Sequence, residues 1–193
     1  MTSDPFNIAL RLSIAGNVMD YGANSSFDIH QTIDHVIEAE LAIDHTKELR
    51  EKIKEAKKIL YLGDNAGEIV FDKLFIEIMM HHDVTYVVKG GPVLNDATIE
   101  DAIAVGMDLS ADIISNGFDA PSTILSNSSQ EFVNKFNEAD LIISKGQGNF
   151  EGLAGYHDPR VFYLLMAKCD VISEILKVKK GSFVVFNQKV QDG

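Results

Sequence analysis

Two acidic residues and one amide lie in neighbouring loops at positions suited to binding a metal ion. Asp64 and Asn65 follow directly after the apolar run Ile59–Leu62, and Asp96 lies in the segment after the β-branched run Val84–Val88. Carboxylate and amide oxygens are the ligands that Mg²⁺ and similar hard ions prefer. Three such oxygens, with water completing the shell, predict an open divalent-metal site. The same residues also suit turns and helix N-caps, and one carboxylate can serve both roles.

A candidate anion site follows a later apolar run, where Lys145 precedes the glycine-rich segment Gly146–Asn149. Backbone N–H groups of such a segment can surround an anion, and a neighbouring lysine can neutralise its charge. The segment is not a P-loop, because the lysine precedes the glycines. We assign Lys145, Gly146, Gly148 and Asn149 to substrate binding, although a surface lysine in a tight turn would show the same pattern. An anion site facing a metal site is what phosphate chemistry requires.

Three further polar residues are candidates for the same cleft. Asn17 and Asp20 stand among apolar residues at the end of the first predicted helix, and Glu68 follows closely after Asn65. Each can face a substrate. Each also has an ordinary structural role, since Asn17 and Asp20 suit a helix end and Glu68 can accept hydrogen bonds from backbone amides of its own loop.

Short apolar segments that alternate with helical segments position these loops, and they predict a parallel sheet covered on both faces. Six segments are typical of strands: 59–62, 84–88, 112–115, 141–144, 161–165 and 183–186. We therefore predict an α/β fold, with a doubly wound, mostly parallel sheet of about six strands and helices on both faces. Ligands bind at the carboxyl ends of the strands in such sheets, which is where the candidate loops lie.

The first part of the chain is predicted to be helical. Apolar residues recur every four positions over Phe6–Val18, as on one face of a helix. Two more helices are predicted over 28–39 and 44–57. We expect residues 1–57 to form a small helical segment that packs on an α/β domain formed by residues 58–193, the two together making one structural unit.

The composition excludes several classes of protein. The chain has 193 residues and a formal net charge of −12, with 29 Asp and Glu against 17 Lys and Arg. This charge disfavours binding to nucleic acid and to anionic membranes. Cys169 is the one cysteine, so no intrachain disulfide can form, and no run of about 20 apolar residues could span a bilayer. We expect a cytoplasmic protein that binds neither nucleic acid nor membranes, and the sequence leaves a homo-oligomer open.

Several loops taken together resemble those of a known family. The stretches Leu62–Glu68, Lys89–Thr98 and Ser144–Glu151, with Ala15–Gly22 before them, resemble the metal-dependent damage-control phosphatases. This family was formerly described as a domain of unknown function and is related to acidic-residue methyltransferase-like proteins. The resemblance runs from about Pro5 to the end of the chain. It implies hydrolysis of small phosphate monoesters, such as sugar phosphates or damaged phosphorylated metabolites, with Mg²⁺, Mn²⁺, Co²⁺ or Ni²⁺.

The resemblance also implies roles for individual residues, by matching motif. The implied catalytic residues and metal ligands are Asp64, Asn65 and Asp96. Lys145 would contact the phosphate, while Asn17 and Asp20 would line the cleft. Archaeal and bacterial members that resemble this chain usually have a longer helical N-terminal region with a pair of cysteines, which is absent here. We therefore expect a shortened member of the family or a fragment of one.

Two other functions are compatible with the sequence. The strand, loop and helix that begin at Tyr61, together with the family's older name, suggest an S-adenosylmethionine-dependent carboxyl methyltransferase. Against it, Asp64 and Asn65 occupy the loop where that cofactor would need glycine for close approach. The other alternative is a non-catalytic metal- or metabolite-binding fragment. A metal-dependent phosphatase acting on a small phosphorylated metabolite is the leading hypothesis.

Overall fold

A seven-stranded sheet organises the part of the chain that the structure describes. In this computed structural model the description covers residues 4–19 and 36–192, with the backbone alone for residues 17–19 and 192. The strands are β1 (Leu41–Asp44), β2 (Ile59–Leu62), β3 (Val84–Val88), β4 (Asp112–Ser115), β5 (Leu141–Lys145), β6 (Val161–Met166) and β7 (Phe183–Phe186). Their order across the sheet is β1-β7-β6-β5-β2-β3-β4, and only β6 and β7 pair antiparallel. The predicted mostly parallel sheet is confirmed, with one strand more than expected.

Helices cover both faces of this sheet. They are α1 (Pro5–Met19), α2 (Thr46–Glu55), α3 (Ile69–Met79), α4 (Ile99–Ala104), α5 (Gln130–Glu138), α6 (Gly146–Leu153), α7 (Asp170–Leu176) and α8 (Gln188–Asp192). Successive side chains of a strand point to opposite faces. Accordingly, Ile59 and Tyr61 of β2 enter the core under α1 and α3, while Leu60 and Leu62 enter the core under α5 and α6. None of the described helices is long and apolar enough to cross a membrane.

The first 57 residues are not wholly helical, in contrast to the prediction. The helix expected over 44–57 is present as α2, but β1 precedes it and pairs in parallel with β7 at the edge of the sheet. Only Leu41 of its four residues is buried, so β1 has too short an apolar pattern to be recognised in the sequence. Most of the helix expected over 28–39 lies outside the described residues.

The direction in which successive strands are added to the sheet changes next to β2. After β2 the chain continues outward through β3 and β4, and it then returns to place β5 on the other side of β2. The carboxyl ends of β2, β3 and β5 therefore lie side by side at the point where the strand order switches. Open parallel sheets bind their ligands at this kind of position.

Helix α1 lies close to α3 above one face of the sheet. The rings of Phe6 and Phe75 meet edge to face with centroids 5.2 Å apart. Near the other end of α1, a Cβ atom on Gly16 would overlap the Cβ of Glu68, which is the N-cap residue of α3. Glycine is therefore required at this position for the two helices to approach, and the approach brings α1 over the carboxyl end of β2.

Candidate functional site

Backbone contacts join the loop after β2 to the loop after β3. The N–H of Ala97 donates a hydrogen bond of 2.8 Å to the carbonyl of Asp64. Asn65 and Asp96 form an isolated antiparallel bridge. These contacts bring together the three residues that the sequence predicts as metal ligands.

Asp96 does not cap the helix that follows it. The N-cap of α4 is Thr98, whose hydroxyl accepts a hydrogen bond from the N–H of Asp101, while the Asp101 carboxylate accepts one from the N–H of Thr98. The alternative role that the sequence offered for Asp96 is therefore taken by its neighbours. Asn65 does adopt a turn, since its Oδ1 accepts a hydrogen bond of 2.8 Å from the N–H of Gly67.

Asp64 and Asp96 are carboxylates held away from water. Burial and the charge of Asp96 raise the pKa of Asp64 to about 6, although Lys89 opposes this shift. Burial also raises the pKa of Asp96, whose side chain is 8% exposed. The Oδ2 atom of Asp96 is buried and accepts no hydrogen bond from any described residue. Two buried carboxylates that repel each other are costly, and the ammonium group of Lys89 offsets only part of that cost, since both pKa values stay raised.

This donor set fits a hard divalent ion. It consists of two carboxylates, from Asp64 and Asp96, and one amide, from Asn65. Within the described ranges no group of three or more His, Cys, Asp or Glu side chains could hold a metal, so the third protein ligand would have to be the amide oxygen. Two or three oxygen donors with water completing the shell are typical of Mg²⁺ sites.

Lys89 is a site residue that the sequence reasoning did not select. It is the first residue after β3 and is almost completely buried. Its Nζ donates a hydrogen bond of 2.9 Å to Asn149 and lies 3.6 Å from the Oδ2 of Asp96. Burial lowers the Lys89 pKa, against the charges of Asp96 and Asp64. Its position directly after a strand, like that of Lys145 at the end of β5, is the sequence signal that could have identified it.

Lys145 has surroundings that differ from those expected of a phosphate ligand. Its side chain is fully buried. Its Nζ donates to the carbonyl oxygen of Ser13 at 2.7 Å, to Glu68 Oε2 at 3.0 Å and to Asp72 Oδ1 at 2.6 Å. An ammonium group has three N–H donors, so the protein itself occupies all of them. This arrangement does not support direct contact between Lys145 and a phosphate.

Asp72 extends this polar network beneath the site. The hydroxyl of Tyr61 donates a hydrogen bond of 2.8 Å to Asp72 Oδ1, and the hydroxyl of Tyr86 donates one of 3.0 Å to Asp72 Oδ2. Burial alone would lower the Lys145 pKa, but the carboxylates of Asp72 and Glu68 raise it above its usual value. The ammonium group therefore remains charged as the counter-ion of this buried layer.

Glu68 connects this layer to the predicted metal ligands. Its Oε1 accepts a hydrogen bond of 3.0 Å from the N–H of Asn65, and its Oε2 accepts the one from Lys145. Burial raises the Glu68 pKa to about 8, while the charge of Lys145 acts in the opposite direction. The carboxylate is thus bound on both sides by the protein, whereas the sequence placed it among the substrate-binding residues.

The predicted substrate ligand Asn149 uses its whole amide group within the protein. Its Nδ2 donates to the carbonyl oxygens of Gly63 at 3.0 Å and Lys145 at 2.9 Å. Its Oδ1 accepts from Lys89 Nζ at 2.9 Å and Thr123 Oγ1 at 2.8 Å. Asn149 therefore joins four segments next to the predicted metal ligands, and it accepts a hydrogen bond from the ammonium group of Lys89.

The segment expected to be a glycine-rich turn is the first turn of α6. Gly146 has φ +75°, and a Cβ atom there would overlap the carboxylate of Asp64. A Cβ atom on Gly148 would overlap the carbonyl oxygen of Pro121. Both glycines therefore permit close packing, and Gly146 places the start of α6 against Asp64.

The two candidates from the N-terminal segment cannot be placed in the site. The backbone of Asn17 belongs to α1, but its side chain is outside the described residues, and Asp20 lies outside them altogether. The structure does bring together the side chains of Asp64, Asp96 and Lys89 and the backbone of Asn65, with Glu68, Lys145 and Asn149 next to them.

Comparisons with known proteins give consistent matches. A family model described as "Damage-control phosphatase ARMT1-like domain" matches residues 2–184. Damage-control phosphatase PH1575 of Pyrococcus horikoshii is 41% identical over 188 residues, which are 95% of this chain and 66% of the relative. A damage-control phosphatase of Archaeoglobus fulgidus is 34% identical over 190 residues, with 95% and 65% covered. The chain thus spans less than two thirds of the length of these curated relatives.

A solved structure is similar as well. The crystal structure of a DUF89 family protein from Pyrococcus horikoshii superimposes with a TM-score of 0.90 at 40% sequence identity. The match covers 96% of this chain and 66% of that chain. This similarity confirms the predicted α/β fold over nearly the whole sequence.

Proposed function

The chain belongs to the family of damage-control phosphatases with an ARMT1-like domain, and from this premise we propose that it is a metal-dependent phosphatase of small phosphate monoesters. The observation that carries the proposal is the pair of buried carboxylates, Asp64 and Asp96. The buried Oδ2 of Asp96 has no hydrogen bond from the described residues, and its ion pair with Lys89 is long, at 3.6 Å. Natural proteins rarely retain such an arrangement unless a cation or a reaction requires it.

Asp64, Asn65 and Asp96 would hold the ion through two carboxylates and one amide. A bound divalent ion supplies a Lewis acid that polarises a phosphoryl oxygen. The protein contributes the position of these three side chains, which its backbone bridges fix, and a site largely closed to water. Electrostatic interactions are stronger in such surroundings than in bulk water.

Lys89 is the residue that we propose as the cationic contact for the phosphate. It faces the same carboxylates from the loop after β3, and Asn149 orients its ammonium group. The role that the sequence gave to Lys145 thereby passes to Lys89. The charge of Lys89 would attract a phosphate and hold the negative charge that its oxygens carry during transfer.

The first turn of α6 is proposed as a second contact for the substrate. Gly146 begins this helix and lies against Asp64, and Gly148 belongs to the same turn. The N–H groups at a helix N-terminus have no partner within the helix and favour anions. A phosphate next to the metal ligands would therefore lie close to these donors.

The other two functions are less well supported. The relatives from Pyrococcus horikoshii and Archaeoglobus fulgidus are named phosphatases, which does not favour a methyltransferase. A non-catalytic metal- or metabolite-binding fragment is the other outcome of the test, because the chain spans 66% and 65% of these relatives.

The proposal is tested by hydrolysis of p-nitrophenyl phosphate and of sugar phosphates after treatment with a chelator. Activity should return with Mg²⁺, Mn²⁺, Co²⁺ or Ni²⁺ and should fall more than about 100-fold in Asp64→Ala and Asp96→Ala, since even outer-shell changes cost 10- to 100-fold. Asp112→Ala is the matched control, since Asp112 is exposed at the opposite end of the sheet. No turnover with any metal, or unchanged turnover in Asp64→Ala, would refute the proposal.

A further inference from the structure

The backbone of Asn65 is hydrogen-bonded to the buried side chain of Glu68. Its N–H group is buried and donates to Glu68 Oε1 at 3.0 Å. The other oxygen of Glu68 accepts a hydrogen bond of 3.0 Å from Lys145 Nζ. The carboxylate of Glu68 thus forms a bridge between a proposed metal ligand and a buried ammonium group.

Lys145 anchors that bridge to three elements of the fold. Lys145 is the last residue of β5. Its ammonium group donates hydrogen bonds to Asp72 on α3 and to the carbonyl oxygen of Ser13 on α1. Gly16 of α1 lies so close to Glu68 that a Cβ atom on residue 16 would overlap the Cβ of Glu68. The backbone of Glu68 is therefore packed closely against α1, while its carboxyl group is held by the hydrogen bond from Lys145.

We propose that Glu68 and Lys145 form a positioning pair, which fixes the backbone of Asn65 and thereby aims the metal ligands without touching the substrate. This inference rests on the proposed function, because it concerns the ligands of the proposed metal. It assigns Lys145, which precedes the glycine-rich segment Gly146–Asn149, to the support of the site rather than to the phosphate. Outer-shell groups of this kind typically change metal affinity 10- to 100-fold.

Stability alone does not account for this pair. A buried ion pair gains little over well-packed apolar residues, since the desolvation of both charges offsets their attraction. The N–H of Asn65 needs an acceptor, because a buried N–H without one is costly. Glu68 Oε1 provides that acceptor at 3.0 Å, and the hydrogen bond from Lys145 to the other oxygen holds the carboxyl group in place. Glu68 and Lys145 are therefore placed where they can fix the backbone of a proposed metal ligand.

The inference is tested by calorimetric titration of the metal-free protein with Mn²⁺ in the absence of phosphate. Glu68→Gln should weaken Mn²⁺ binding about 10- to 100-fold, because its amide N–H₂ would face the ammonium group of Lys145. Glu68→Asp keeps the charge but is one methylene shorter, and it should weaken binding as well. Glu77→Gln, on the exposed face of the same helix, is the matched control and should bind like the wild type.

Lys145 is tested in the same titration with Lys145→Met, or with Lys145→Arg if the first variant does not fold. If Lys145 is a positioning residue, its replacement should weaken Mn²⁺ binding even without phosphate. If it is a phosphate ligand, its replacement should leave Mn²⁺ binding unchanged. If Mn²⁺ affinity is unchanged and inorganic phosphate inhibits the phosphatase activity less strongly, Lys145 binds phosphate. This result would overturn its role as a positioning residue.

Two controls separate this inference from the proposed function. If the wild type binds no Mn²⁺, or if Asp64→Ala binds it equally well, the metal site itself fails and the inference fails with it. If the wild type binds Mn²⁺ through Asp64 while both Glu68 variants bind within twofold of it, only the positioning pair is refuted. Failure of both Glu68 variants to fold would also overturn the inference, because Glu68 would then be required for folding and not for positioning the proposed metal ligands.

Discussion

Lysine–carboxylate pairs occur at both ends of the sheet, with nearly equal lengths and opposite surroundings. At the carboxyl end Lys145 lies 2.6 Å from Asp72, and both side chains are fully buried. At the amino end Lys58 lies 2.7 Å from Glu138, and the two side chains are 50% and 57% exposed. An exposed pair contributes about 0–1 kcal/mol, whereas a buried pair must offset the loss of hydration of both charges. Burial, and not distance, therefore distinguishes the two pairs.

The two ends of the sheet use polar residues for different purposes. At the amino end, Asp140 accepts hydrogen bonds from the N–H groups of Lys57 and Lys58 and remains in contact with water. At the carboxyl end, buried polar residues are concentrated around one point; they are Asp64, Asn65, Glu68, Asp72, Lys89, Ser144, Lys145 and Asn149. A concentration of this kind costs stability, and it supports the proposal of a site at this end of the sheet.

The largest difference between the two ends of the sheet is expected in the loss of stability when Lys145 or Lys58 is replaced. Lys145→Met should lower the free energy of unfolding by about 3–5 kcal/mol, because it leaves Glu68 and Asp72 buried without a counter-ion. Urea unfolding followed by circular dichroism measures this change. A loss below about 1 kcal/mol would mean that the buried layer tolerates its charges without Lys145.

Asn149 should be the next most sensitive position. Asn149→Leu removes both donors and the acceptor that join four segments, and it leaves their polar groups buried without partners. We expect a loss of about 2–4 kcal/mol in the free energy of unfolding. Asn134→Leu is the control, since the Asn134 side chain is exposed on α5 and is hydrogen-bonded only to that of Gln130 among the described residues. Equal effects of the two substitutions would contradict the assigned role of Asn149.

The two ends should also respond to pH with opposite sign. In the metal-free protein the Asp64 pKa is raised from 3.8 to about 6, so the folded state holds a proton that the unfolded state has released. Stability therefore falls as pH rises through this window, by up to about 3 kcal/mol relative to Asp64→Asn. Above pH 6 the difference should stay constant. Paired urea unfolding of the two proteins from pH 4 to 8 measures it, and a flat difference would exclude the shift.

Glu138 should show the reverse trend at the amino end. Lys58 lowers the Glu138 pKa through a hydrogen bond and its charge, so ionisation of this carboxyl favours the folded state. Stability should therefore rise with pH through the range where Glu138 titrates, and Glu138→Gln should abolish that contribution. The same unfolding series detects it, and a contribution with the sign of Asp64 would contradict the comparison.

The smallest effect is expected for Lys58→Met. Its pair with Glu138 is exposed, so the free energy of unfolding should change far less than in Lys145→Met, and the change should shrink further in high salt. Urea unfolding at low and high ionic strength measures it. A loss comparable to that of Lys145→Met would show that exposure does not separate the two pairs.

The sequence predicted much of the fold because apolar strands and the loops after them are local patterns. It located Asp64, Asn65 and Asp96 for the same reason, since strand ends in a parallel sheet must meet. It could not describe the surroundings of Lys145, because Ser13, the acceptor on α1, lies 132 positions away in the chain. Contacts of that span depend on how helices pack over the sheet, and a single sequence does not encode them visibly.

The same limit explains why Lys89 was not selected. A lysine after a strand is most often a solvated residue, and only burial beside Asp96 and Asn149 distinguishes Lys89 from that common case. β1 was missed because a strand of four residues with one buried side chain has no recognisable period. In each case the missing information is tertiary: it is which side chains become buried and which groups they contact once buried.

A crystal soaked with Mn²⁺ and inorganic phosphate, measured near the manganese absorption edge, tests the metal site most directly. We expect one anomalous peak in contact with the side chains of Asp64, Asn65 and Asp96. Phosphate should lie beside the ion and Lys89, while Lys145 keeps its contact with Glu68. A peak elsewhere, or none at all at saturating Mn²⁺, would contradict the assignment of this end of the sheet to metal-dependent phosphate chemistry.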